Sequence, residues 1–478
     1  MIASVLAFRR ILGQPNAFMM TTRALAAASA ACLGAASSSL PLGREPVYDA
    51  WAWLVWGREL AGLGLDISSG PSWKPLPVAL AVPLSAAGEA APELWLVLVR
   101  AAWLLALVLA ADLAARLAAG GGRGARAAAA AFAAASLALL ADPVTPWARQ
   151  AAGGMSEPLL VALVLGALRA QLGDRPRVAL LLGALAALVR PEVWPLLAAY
   201  GLWCGRADPA ARPLLAALAL ALPVAWLGPD LLAAGDAVGS AGRAQRDGGG
   251  PAEALARAAA LPLAAAWALA LVAVAGRDRR VLALGAGALA WIAIVVAMAA
   301  AGFPGLPRFT APAAAVVGVL GGVGLARLAA RGPTRPVAAL AAGLAAVTAL
   351  QLPGRVAELP RALRTTARIG DSHDRLRALA AAVGRDALLR CGHLATSDVL
   401  VRTALAWELG VPLSNVVSFG VKPRLSGAFV VGPQAAPGLR EDVRTVAEQI
   451  GVRGEWRVYS LDCPTARAGA FRPFSSAS

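Results

Sequence analysis

Charge is the commodity this chain lacks most. Charged side chains make up 15% of its 478 residues, where soluble globular proteins carry about a quarter. Hydrophobic residues reach 59%, which excludes a soluble enzyme or a disordered tail as the bulk of the chain. Histidine is nearly absent as well. His373 and His393 both fall in the last quarter, so the apolar part cannot build an imidazole metal site or a Ser-His-Asp triad. Lysine is confined to Lys74 and Lys422, and every other basic side chain is Arg. The four cysteines show no CxxC spacing. Cys32 and Cys204 lie in apolar segments. Cys391 and Cys463 share the polar tail and are disulfide candidates if that tail faces an oxidising compartment. Spacing alone does not fix their pairing.

What is present is a regular alternation. The formal charge of +16 would point to nucleic acid in a soluble protein, but here the Arg residues cluster between apolar blocks. That is the pattern of cytoplasmic loops, and nucleic acid is not expected as a partner. A helix needs about 20 apolar residues to cross the hydrocarbon core. Apolar segments fall at 24–40, 94–117, 127–143, 157–173, 178–190, 192–205, 213–229, 256–276, 281–301, 310–329 and 336–352. Arg-bearing breaks occupy every second gap, which puts the N-terminus in the cytoplasm and the C-terminal part outside. The end of the first segment also resembles a signal-peptide cleavage region. Between the first two segments, residues 41–92 form a large outer loop. Trp51, Trp53, Trp56 and Trp73 alternate there with charges, which predicts short helices along the membrane surface with the tryptophans as interfacial anchors.

Composition changes after residue 352. Residues 353–478 carry frequent charges, helix-like stretches at Asp371–Val383 and Gly438–Ile450, and strand-like runs at Asn415–Phe419 and Ala428–Val431. The expected architecture is an all-α polytopic membrane bundle of about eleven spans over residues 1–352. A small extracytoplasmic α/β domain follows, with the whole in the plasma membrane.

Polar groups in or against a bilayer are expensive and so mark function by default. The unusual ones share the outer side: the Tyr48-Asp49 pair, Lys74, Ser156-Glu157, Arg190-Pro191-Glu192 and Arg308. One carboxylate near several cations suits transfer from an anionic, lipid-linked donor. The carboxylate takes the proton of an attacking hydroxyl. Fixed Arg or Lys side chains hold a phosphate and stabilise its developing charge.

The order of these elements resembles a known family. The loop YDAWAWLVWGRELAGLGLD at 48–66, GPSWKPLPV at 70–78, Gly154-Met155-Ser156-Glu157-Pro158, Val189-Arg190-Pro191-Glu192 and Leu306-Pro307-Arg308-Phe309 are similar to elements of the GT-C superfamily. These are polytopic glycosyltransferases that use polyprenyl-phosphate sugars. They include lipid A aminoarabinose transferases, protein O-mannosyltransferases and actinobacterial mannosyl- and arabinosyltransferases. The resemblance spans residues 20–330. It implies transfer of a hexose or pentose from a polyprenyl-phosphate donor to an acceptor hydroxyl, with inversion, on the extracytoplasmic face. The acceptor would be a glycan, lipid or protein. By the same resemblance Asp49 is the catalytic acid, Lys74 contacts the donor phosphate, and Arg308, with Arg190, assists it. Lys74-Pro75-Leu76-Pro77 departs from the family's Lys-Pro-Pro-Leu, and Phe309 replaces a Tyr. The family's acidic pair is missing, since Ala50 follows Asp49, so no cofactor is implied and a divalent metal is disfavoured.

Each candidate also has a structural alternative. Asp49 is an N-cap or a solvated loop carboxylate; Lys74 snorkels; Arg308 pairs with lipid phosphate. Arg190 and Glu192 brace a broken span, and Glu157 favours its helix N-terminus. Glu59 and Asp66 read as loop solvation. Two rival functions compete: a transporter or lipid flippase, and a non-catalytic scaffold presenting the tail.

Overall fold

The computed structural model describes residues 20–245, 249–332, 334–390, 394–420 and 426–462. Cys391 and Cys463 lie outside the described residues. The chain divides into two compact units, Met1–Ile369 and Gly370–Ser478.

The first unit is helical. Its elements are α1 (Thr22–Ser38), α2 (Tyr48–Ala61), α3 (Pro75–Ser85), α4 (Ala91–Leu117), α5 (Arg123–Ala138), α6 (Trp147–Ala152), α7 (Glu157–Leu172) and α8 (Pro176–Ala187). There follow α9 (Trp194–Ala207), α10 (Arg212–Ala234), α11 (Gly239–Ala244), α12 (Pro251–Ala260), α13 (Ala264–Ala275), α14 (Arg279–Ala300), α15 (Ala311–Ala330) and α16 (Arg335–Val383), whose last turns enter the second unit. Every apolar segment of the sequence is helical, yet not every helix is long. Among the described residues, five stretches are long and apolar enough to cross a membrane alone: Gly88–Leu117, Pro209–Ala233, Arg279–Ala300, Pro307–Ala330 and Arg335–Val383. The apolar segment 256–276 is broken into α12 and α13, which meet at 86°. Leu261 is still helical, but Pro262 lacks an amide hydrogen, so the ladder cannot continue through it. Arg355 satisfies the freed carbonyls, donating to Leu139 O, Ala260 O, Leu261 O and Pro262 O.

Helix α15 is the most enclosed of these, packed among α4, α5, α7, α13 and α14. Small residues permit this. A Cβ added at Gly324 would sit 1.8 Å from Leu269 O, and one at Gly322 would sit 2.4 Å from Ala129 O. With lipid as solvent, close backbone approach and dispersion hold such helices together.

The outer loop forms short helices, as expected, but its tryptophans are not surface anchors. Trp51, Trp53 and Trp56 are at most 1% exposed. Their indoles pack inward instead. Trp51 Nε1 donates to Glu45 Oε1 at 2.8 Å and Trp56 Nε1 to Asp66 O at 3.0 Å, while Trp53 meets Trp95 edge-on at 5.6 Å between centroids. A large amphipathic ring whose N–H finds a partner is as stable in a protein core as at a headgroup layer.

The second unit holds a five-stranded mixed sheet in the order β2-β1-β3-β5-β4, with β1 (Leu394–Thr396), β2 (Val416–Ser418), β3 (Gly427–Val431), β4 (Glu448–Arg453) and β5 (Trp456–Leu461). β1 pairs in parallel with β2 and β3; β5 runs antiparallel to β3 and β4. Phe429, Val431, Leu439, Val443 and Tyr459 form its core. The expected strands at 415–419 and 428–431 coincide with β2 and β3. The helix-like stretch Gly438–Ile450 is corrected: its helix ends at Arg444, and Glu448 onward is the edge strand β4. Arg453 pairs with Trp456 across a turn at Gly454, whose φ of 56° suits glycine.

Candidate functional site

The site forms where the chain leaves regular helix next to proline. Lys74 precedes Pro75, Arg190 precedes Pro191, and Glu157 precedes Pro158 at the first position of α7. A residue before proline is steered to extended backbone, and Lys74 (φ −138°) and Arg190 (φ −148°) obey this. Their side chains thus leave the helix ends and enter the bundle. Two tethers register the segments. Leu76 N donates to Leu188 O at 3.0 Å, and Val47 N donates to Gly153 O at 2.8 Å. Buried Arg100 of α4 adds a third, donating to Ser39 O, Gly43 O and Ala152 O. The loops that carry Asp49 and Glu157 are therefore fixed to one side chain.

Glu157 is the hub. It is 0% exposed, and its Oε1 lies 2.6 Å from Arg190 Nη2, 3.6 Å from Arg308 Nε and 3.9 Å from Lys74 Nζ. Arg190 also reaches Glu192 Oε1 at 2.9 Å through Nη1 and lies 3.7 Å from the centroid of the Phe309 ring. Lys74 donates to Ser156 Oγ at 2.7 Å and sits 5.0 Å from the centroid of the Trp53 ring. Arg308 donates from Nη1 to Thr145 Oγ1 at 3.3 Å. Three cations thus share two carboxylates, an excess of one positive charge (3 − 2). Isolated buried charges would be prohibitive, so the cluster exists only because its members neutralise one another. Among the described residues, Glu157 Oε2, Glu192 Oε2 and Trp53 Nε1 are buried without a hydrogen-bond partner.

Asp49 lies in the first turn of α2, half-buried, where the helix dipole favours negative charge. Its charge acts on Lys74. Burial pushes the Lys74 ammonium down to about 8, opposed by Glu157 and Asp49 and reinforced by Arg190 and Arg308. Tyr48 opens α2 and is half-buried.

The structure therefore unites Lys74, Arg190, Arg308, Glu157 and Glu192, with Asp49 in electrostatic range of Lys74. Arg190 and Glu192 form the expected ion pair, and Glu157, at the first position of α7, joins it. Sequence reasoning missed Trp53 and Phe309 as cation partners. It also missed the turn at Asp142-Pro143-Val144-Thr145-Pro146. Buried Asp142 accepts from the amides of Val144 and Thr145 and from Gln150 Nε2, which presents Thr145 to Arg308. The two prolines around Thr145 were the available signal. Among the described residues, no three His, Cys, Asp or Glu side chains assemble into a metal-binding group.

An apolar cavity of about 570 Å³ opens between α7, α8, α9, α14 and α15. On α14 its lining extends from Arg279 to Trp291, roughly 18 Å of helix. Trp291 links it to the site, since its Nε1 donates to Phe309 O at 2.9 Å.

The fold resembles that of a protein of known structure. The chain superposes on ArnT from Cupriavidus metallidurans bound to undecaprenyl phosphate, with a TM-score of 0.51 and 15% identity, over 94% of this chain and 100% of that one. The apo state of the same protein gives 0.50 and 15%, over 91% and 97%. At this identity the likeness is one of fold. No protein-family model matches the chain, and no curated protein matches it by sequence.

Proposed function

We propose that the protein is a GT-C-type glycosyltransferase that moves a sugar from a polyprenyl-phosphate donor to an acceptor hydroxyl at the extracytoplasmic face of the plasma membrane. In this reading the eleven apolar segments cross the bilayer, the N-terminus is cytoplasmic and the C-terminal unit is outside. The observation that carries it is the meeting of Lys74, Arg190 and Arg308 on one buried carboxylate, with the charge of Asp49 felt at Lys74. An ArnT-like fold and the apolar cavity support it, the latter as room for an isoprenoid chain next to a phosphate.

Asp49 takes the proton of the acceptor hydroxyl, and the hydroxyl oxygen bonds to the anomeric carbon from the face opposite the phosphate. The bond from that carbon to the phosphate oxygen breaks, and its electron pair leaves on the phosphate. The diester monoanion becomes a monoester dianion, so the negative charge lost at Asp49 reappears where the three cations hold it. Inversion follows from the single displacement.

Lys74 tests the donor side. Lys74→Met keeps the volume against Trp53 and removes the charge. A charge-assisted contact of about 1.5–3 kcal/mol predicts a donor KM raised by roughly 10–100-fold, with the acceptor KM little changed. Titration of the wild-type protein provides a second check. Donor affinity is expected to fall as pH rises through about 8, because Lys74 loses its charge there. Stability moves the other way. Between about 8 and the ordinary value of 10.5 the unfolded chain holds the Lys74 proton and the folded one does not, so this group's contribution rises with pH. An unchanged donor KM in Lys74→Met removes Lys74 from the phosphate site.

A further inference from the structure

On the phosphate reading above, the charge count of the cluster has a consequence for how the carrier is held and let go. We infer that Glu157 is a resident anion that competes with the carrier phosphate for Lys74, Arg190 and Arg308, and so sets how readily the spent polyprenyl phosphate leaves.

One carboxylate oxygen, Glu157 Oε1, faces all three cations within 3.9 Å, whereas Glu192 Oε1 faces Arg190. Glu157 is therefore placed as a phosphate oxygen would be, among the same donors. Without it the site would present a net charge of +2 from three cations and Glu192 (3 − 1), and with it the net charge is +1. The product is a dianion, and an unopposed +2 cluster in a low-dielectric pocket would retain it. Coulomb energies at these separations are a few kcal/mol even when strongly screened, enough to change residence by orders of magnitude. Among the described residues Glu157 Oε2 is buried and has no hydrogen-bond partner, so Oε1 alone carries the contact with the three cations.

Glu157→Gln separates this role from a structural one. The amide oxygen still accepts from Arg190 Nη2, so the geometry is retained and one charge is lost. Binding of undecaprenyl phosphate to the purified full-length protein in nanodiscs is measured, with undecaprenol as the phosphate-free control. The variant is expected to bind undecaprenyl phosphate at least tenfold more tightly, with undecaprenol unaffected. A structural role predicts weaker binding, because loosened cations grip less well. To guard against a variant that fails to fold, the same change is made in Lys74→Met, where the lost cation offsets the lost anion. Glu157→Gln is again expected to tighten binding relative to Lys74→Met alone. Equal or weaker binding in both backgrounds overturns the inference while leaving the phosphate site standing. If the wild-type protein shows no preference for undecaprenyl phosphate over undecaprenol, the phosphate reading and this inference fall together.

Discussion

Asp49→Asn is expected to lower sugar transfer by about 10²–10⁴-fold, the range that general bases contribute. Asn matches the shape of Asp and keeps an oxygen at the start of α2, where a carboxamide also suits the helix N-terminus. Arg190 and Arg308 do not depend on the exchange, while Lys74 loses one of the two acids that sustain its charge, so at a pH well below 8 the variant should stay in the membrane and bind undecaprenyl phosphate as the wild type does. Turnover and carrier binding, measured on the same preparation, give the contrast. Lost turnover with retained binding assigns Asp49 to the chemistry. Near-wild-type turnover excludes it as the base. Loss of both assigns it to the fold or to the carrier site.

The second large effect falls on Arg190. Its guanidinium bridges Glu157 and Glu192 through Nη2 and Nη1, and stacks on Phe309. Arg190→Ala leaves two carboxylates that are at most 1% exposed without their nearest cation. Removing one partner of a buried pair costs about 3–5 kcal/mol, a large share of the stability of most proteins. Thermal unfolding in detergent should therefore shift sharply downward, and the yield of monodisperse protein should fall several-fold. Arg190→Lys keeps the charge but loses the planar fork that serves both acids, so an intermediate loss is expected. Combining Arg190→Met with Glu157→Gln and Glu192→Gln removes the stranded charges and should recover much of the stability, though not donor binding. If Arg190→Ala is as stable as wild type, the bridge is not what holds these carboxylates in the bundle.

Much of the site was legible because proline announces where a helix breaks, and broken helices are where a membrane bundle can place polar groups. Lys74-Pro75, Arg190-Pro191 and Pro307-Arg308 each announce themselves this way. What sequence could not show is that Glu157 gathers all three cations. A Glu at a helix start is commonplace, and the separation along the chain from Lys74 to Arg308 hides their convergence. The tryptophans misled for a related reason. An indole pattern fit for the headgroup layer is equally fit for a buried loop core, and only the presence of Trp95 and Glu45 as partners decides between them. The break at Pro262 was visible as a residue, but the apolar run on either side reads as one span unless the cost of the missing amide hydrogen is weighed. In the second unit, β4 is an edge strand with four of its six residues exposed. Its exposure gives no period-2 signal, and helix periodicity filled the gap.

The most direct test is transfer itself. Wild-type and Asp49→Asn proteins in proteoliposomes are incubated with radiolabelled polyprenyl-phosphate mannose or arabinose and a cell-envelope extract as acceptor. The expected result is label moving from the carrier to envelope material, with free polyprenyl phosphate appearing in equal amount, and none of this in Asp49→Asn. Label that crosses the bilayer still attached to its carrier, at the same rate in both proteins, would contradict sugar transfer and make the protein a lipid translocator.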